Sequence, residues 1–181
     1  MADRNSTYVA FHANPAKEPD ITDVHILDLL KSWGVGADGG LTLTDSREKG
    51  EARRAVRLRE FTERHLRMRL DGAKHMVPIV GETTREDNEW IPLEIRYAVD
   101  DCEIPIIAAY LGHEVILDPT ELAPLWPAAL AKRIREGTAR VIHIPFRVEA
   151  LRDAIGQFGP EKRPQSGLSF YDLATYQGWG Y

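Results

Sequence analysis

A chain of 181 residues with 43% hydrophobic and 28% charged side chains has the makeup of one globular domain and excludes general disorder. A net charge of −5 and a pI near 5.7 argue against a surface built throughout to hold nucleic acid. A single cysteine, Cys102, rules out an internal disulfide framework, and no two of the six histidines have the i, i+4 spacing of a helical metal pair.

The first apolar run is Tyr8-Val9-Ala10-Phe11, ended by His12-Ala13-Asn14-Pro15, which predicts a short buried strand and a loop. Apolar residues then recur at helical spacing over 24–33 and stop at Gly34. Leu41-Thr42-Leu43-Thr44 is a short β-prone run, and Asp45-Ser46-Arg47 opens the next loop. Residues 52–70 read as a long amphipathic helix with Ala55, Leu58, Phe61, Leu66 and Leu70 inward. The helix is rich in arginine but also carries Glu60 and Glu63.

His75-Met76-Val77-Pro78-Ile79-Val80 predicts a third strand, with Pro78 awkward for a central position. After the polar loop 82–89, helix signals resume at Trp90 and Pro92 and run to about Val99. Residues 104–110 predict a fourth strand, 122–135 a helix, 141–145 a fifth strand, and 148–158 a last helix before Gly159-Pro160. Residues 1–160 are expected to form the domain. Residues 161–181, rich in Gly, Ser and aromatics, are expected to lie over it or to be partly ordered. No run is long enough to span a bilayer and the first residues lack an apolar leader core, so a cytoplasmic protein is expected, with no membrane partner.

Alternating strands and helices predict an α/β fold whose five-stranded parallel sheet carries helices on both faces. Ligands in such sheets gather at the carboxyl ends of the strands, here 11–14, 44–47 and 81–94. The dinucleotide fingerprint, the phosphate-binding P-loop and the nucleophile elbow of serine hydrolases are all missing.

Glu94 stands four residues after Trp90, so on a helix the two share one face. A glutamate in that place has two readings. It is a reactive carboxylate at the cleft, or it is there because the helix dipole favours a negative charge by roughly 0.3–1 kcal/mol.

Lys74 to Thr84, followed by Glu89-Trp90-Ile91-Pro92-Leu93-Glu94-Ile95-Arg96-Tyr97-Ala98, resembles the central block of TIR domains. It is especially similar to the TIR-like branch that includes the signal-producing subunits of Thoeris antiphage systems. The shared pattern is a strand ending in Gly, a Thr-containing loop, and Trp-x-x-x-Glu at a helix start. Tyr8 to His12 is similar to that family's first strand, and Asp45-Ser46 to the start of its loop after the second strand. The resemblance covers roughly residues 7–112.

It implies a flavodoxin-like, three-layer αβα fold and, in many members, cleavage of NAD at the nicotinamide–ribose bond. The motif glutamate, here Glu94, is then the catalytic residue. NAD is the substrate, with no resident cofactor or metal. Trp90 is a candidate substrate contact, as are His12 and Asn14 in the first loop and Asp45, Ser46 and Arg47 in the second, and Phe11 at the strand end is either core or a stacking surface for a base. Arg47 is suited to pairing with a phosphate. The resemblance also implies self-association and a separate effector that reads the product. Two other functions fit the same residues: an interaction module without catalysis, and an N-glycosidase or deoxyribosyl-transfer enzyme.

Overall fold

The computed structural model describes residues 4–11, 29, 30, 32, 41–43 and 56–181. Its strands are β1 (Ser6–Ala10), β2 (Leu41–Leu43), β3 (Ala73–Val80), β4 (Ile106–Tyr110), β5 (Val141–Pro145) and β6 (Ser169–Phe170). Its helices are α1 (Val56–Asp71), α2 (Trp90–Arg96), α3 (Ala128–Glu136), α4 (Val148–Gln157) and α5 (Leu173–Gly178).

All pairings are parallel and the strand order is β2-β1-β3-β4-β5-β6. Through β5 this is the flavodoxin-like order, and it reverses direction between β1 and β3. The sheet separates two apolar layers. On one face Tyr8, Ala10, Met76, Val80 and Tyr110 pack with Leu66 and Leu70 of α1, Ile91 and Ile95 of α2, and Leu130 of α3. On the other, Val9, Phe11, Val77, Ile79 and Ile144 pack with Leu30 and with Ala150, Leu151 and Ala154 of α4. The even/odd alternation along each strand produces this division. Because both faces are covered, the central strands read as nearly continuous apolar runs.

Four expectations are corrected. First, Pro78 does lie in a central strand, between β1 and β4. Met76 and Val80 bond toward β4, donating to Pro105 O and accepting from Leu111 N, so the missing N–H of Pro78 also faces β4. The β3–β4 register runs Met76↔Ile106, then Ile79↔Ala109, and the proline falls in the gap. Second, the helix expected over 122–135 is two pieces. A 3-10 segment, Pro119–Leu125, precedes α3, and the break is at Trp126 (ψ 133°). Pro127 forces that residue out of the helical region.

Third, the helix expected to reach Val99 leaves α geometry at Tyr97. A π-turn, Tyr97–Asp101, follows it, closed by Cys102 N donating to Tyr97 O at 2.9 Å. Fourth, the sheet has a sixth strand. Residues 161–181 supply β6 and α5, and Tyr176 of α5 is fully buried. The helix expected over 24–33 is described only at residues 29, 30 and 32, and residues 52–55 of the arginine-rich helix lie outside the described residues.

Two buried histidines stitch the layers. His75 Nδ1 donates to Phe158 O at 2.9 Å, which leaves Nε2 to accept from Thr7 Oγ1 at 2.8 Å. His143 Nε2 donates to Gly167 O at 2.9 Å, so its Nδ1 accepts from the Tyr110 hydroxyl at 2.7 Å. That hydroxyl accepts in turn from Trp126 Nε1 at 2.8 Å. Burial holds both rings neutral, each pKa lowered to about 4.

Gly167 is placed where a side chain would be crowded. A Cβ there would meet Ala139 O at 3.2 Å and Ile134 Cα at 3.3 Å, both backbone atoms. Gly167→Ala is expected to destabilise the fold by about 1–3 kcal/mol. Chemical denaturation of the variant beside the parent checks this.

Candidate functional site

The site is built where β1 and β3 part company. β3 is followed by Gly81, whose N–H donates to Thr84 Oγ1 at 2.8 Å, and the chain turns through the 3-10 segment Thr84–Glu86. Asp87 then starts α2. Its Oδ1 accepts from Glu89 N and Trp90 N, both at 2.8 Å, which satisfies two of the donors a helix start leaves without carbonyl partners. Pro92 is the third residue of α2, where its lack of an N–H removes no helical bond. The proline inside the motif is thus compatible with a regular helix start. Asp87→Ala is expected to cost about 1 kcal/mol, since Asp87 holds both N–H groups. Thermal unfolding and the ellipticity of the native state read the loss.

Along α2 and the π-turn, Trp90, Ile91, Glu94, Ile95, Ala98 and Val99 are buried. Glu94 therefore occupies a core position of an amphipathic stretch, and its exposure is 0%. This weighs against the dipole reading, because a glutamate retained for the helix dipole gains its fraction of a kcal/mol at the surface. An ionised carboxylate taken out of water needs hydrogen bonds to persist. Tyr8 supplies one. Its hydroxyl, reaching across from the middle of β1, donates to Glu94 Oε1 at 3.0 Å.

Trp90 is 1% exposed, one turn before Glu94, and its ring is part of the same apolar layer. Its buried Nε1–H has no hydrogen-bond partner among the described residues. Such a donor costs roughly 1–3 kcal/mol.

The sequence-predicted site residues divide accordingly. Glu94 and Trp90 stand together on α2. Phe11 does not join them, because its ring is 3% exposed and packs in the layer on the opposite face of the sheet. The structure makes it core rather than an open stacking surface. His12, Asn14, Asp45, Ser46 and Arg47 lie outside the described residues.

Two participants were missed in the sequence. Tyr8 reads there only as one apolar member of a strand, and nothing local announces a bond 86 positions away. Asp87 did carry a signal: an aspartate three residues before the first buried helical residue is a capping spacing.

Glu94 exposes no surface, so a ligand reaches its carboxylate only when whatever encloses it moves. Among the described residues an open groove of about 1140 Å³ runs past Arg4, Lys74, Glu103 and Lys162 near the amino ends of the strands, away from α2. Its mixed charges select no ligand class. Among the described residues no group of three or more His, Cys, Asp or Glu side chains could hold a metal ion. No helix among them is long and apolar enough to cross a membrane.

A search of curated proteins returns no match. A comparison with protein families matches residues 8–115 to the TIR-like domain of the Thoeris protein ThsB. That stretch runs from Tyr8 through Glu94 to the loop after β4 and is more than half of the chain. With the strand order and the Trp90–Glu94 placement on the page, the chain belongs to the family of Thoeris ThsB TIR-like domains.

Proposed function

We propose that this protein is a defence enzyme that breaks the nicotinamide–ribose bond of NAD and releases an ADP-ribose-type or cyclic ADP-ribose-type signal. The observation that carries the reading is a glutamate at a core position of α2, beside the β1/β3 switch point, with its carboxylate held by Tyr8. Membership of the Thoeris TIR-like family supports a role in defence.

The chemistry suits a fixed carboxylate. As the glycosidic bond lengthens, its electron pair leaves with nicotinamide and the ribose becomes oxocarbenium-like. A preorganised negative charge in a site shut off from water stabilises that cation. The same oxygens accept hydrogen bonds from ribose hydroxyls and hold the sugar in line. Water then captures the cation to give ADP-ribose and a proton. If a nucleophilic atom of the same molecule captures it instead, the product is cyclic. NAD is the substrate and no resident cofactor enters. Self-association opens or completes the site, and a separate effector reads the product.

The full enclosure of Glu94 favours a second reading, a TIR-like interaction module in which the Tyr8–Glu94 pair only stabilises the core. The two separate on one experiment. The full chain is incubated with NAD, both dilute and concentrated enough to self-associate, and free nicotinamide is followed. Release that rises with assembly supports the enzyme. NAD left intact in every assembly state supports the module.

A further inference from the structure

We infer that Tyr8 is a positioning residue for Glu94, fixing the carboxylate for turnover rather than for substrate binding; this rests on the enzymatic reading above. Three observations on β1 and α2 carry it. The Tyr8 hydroxyl donates to Glu94 Oε1 at 3.0 Å, with both residues at 0% exposure. In that setting the hydrogen bond is made to an acceptor shielded from competing water.

The donor is also anchored on both sides. β1 lies between β2 and β3, with Tyr8 opposite Thr42 in one and Met76 in the other. The backbone that carries the phenol cannot shift without breaking two ladders. Finally, the ring sits in the apolar layer with Ile91 and Ile95, where a phenylalanine would fill the same space. What the hydroxyl adds to that packing is a donor aimed at Glu94.

A carboxylate on the short helix α2 is thereby tied to the inner strand across the switch point, so its rotamer is set before substrate arrives. Binding of the dinucleotide involves many groups and depends little on this one bond. Stabilisation of a developing ribosyl cation depends directly on where the carboxylate stands and on its remaining ionised.

The test uses the full chain with Tyr8→Phe, following nicotinamide release from NAD. The expected result is a kcat lower by roughly 10–100-fold, the loss of one hydrogen bond to a charged group, with KM within about twofold. The melting temperature falls by a few degrees, because Glu94 Oε1 loses its buried donor, while the variant stays folded at the assay temperature. In a Glu94→Gln background the same substitution changes residual turnover little, because the group it positions is gone.

Retained kcat in a folded Tyr8→Phe variant overturns the inference while leaving the enzymatic reading standing. So does a rise in KM at constant kcat, or a kcat loss matched by loss of folded protein. Absence of release from the parent chain in every assembly state overturns the enzymatic reading itself, and the positioning role falls with it.

Discussion

Glu94→Gln is expected to lower nicotinamide release by roughly 100–1000-fold while leaving the chain folded. The substitution keeps shape and volume. The amide oxygen still accepts from Tyr8, so the bond at 3.0 Å is retained in kind and the packing of Trp90, Ile91 and Ile95 is undisturbed. What the proposed reaction loses is the negative charge set against the ribosyl cation. Stability should change little, because the substitution keeps the volume of the buried side chain and its acceptor for Tyr8. Nicotinamide release and chemical denaturation, measured on the same preparation, check both halves. Equal turnover by parent and variant would remove Glu94 from the reaction. Unfolding of the variant would make the carboxylate a structural element first.

The second large effect is on stability. His75 and His143 are neutral in the folded state, each pKa held at about 4 by burial against an ordinary value of 6.5. The unfolded chain therefore binds more protons than the folded one between those values, and folding stability rises with pH. The contribution is fully present above about pH 6.5 and is lost as pH falls toward 4. At pH 5 the loss amounts to about 2 kcal/mol for each ring, about 4 kcal/mol for the pair, a large part of a typical domain's stability. Each ring donates to a backbone carbonyl from one nitrogen and accepts a hydroxyl proton at the other. Protonating the accepting nitrogen sets two donors against one another at Thr7 and Tyr110. Denaturant titrations at pH 7.5, 6 and 5 should show a falling midpoint. A flat profile over that window would mean that the rings are not held neutral.

How much of this was legible in the sequence depends on the range of the interaction. Five strands could be read because parallel strands covered on both faces are apolar runs, and a run needs no partner to be seen. The central position of β3 was harder, because Pro78 argues against it. What rescues the strand is the register with β4, and only the assembled sheet fixes that. The two residues of β6 carry no period at all. They become a strand because residues 166–167 accept from Val141 N and His143 Nε2 and so dock the segment against β5.

The candidate site divides in the same way. Glu94 and Trp90 were legible because i, i+4 spacing on a helix is a local property and the surrounding block resembles a known family. The burial of Glu94 was not legible. It follows from α2 docking on the sheet, with Tyr8 of β1 reaching its carboxylate and α3 packed beside it, and the sequence around Glu94 suits an exposed helix start equally well. Tyr8 was out of reach for the same reason. The reading of Phe11 as a substrate surface was decided by strand alternation: Val9 and Phe11 point to one face, Tyr8 and Ala10 to the other, and Glu94 lies with the second pair.

If NAD is cut at its glycosidic bond, as proposed, the masses of the products show it. The full chain, at concentrations that span self-association, is incubated with NAD and the mixture resolved by mass. Free nicotinamide is expected in step with NAD loss. Its companion is either ADP-ribose, carrying the elements of one water, or a cyclic product lacking them. NAD recovered whole at every concentration, or cleavage at the pyrophosphate to two mononucleotides, would contradict the proposal.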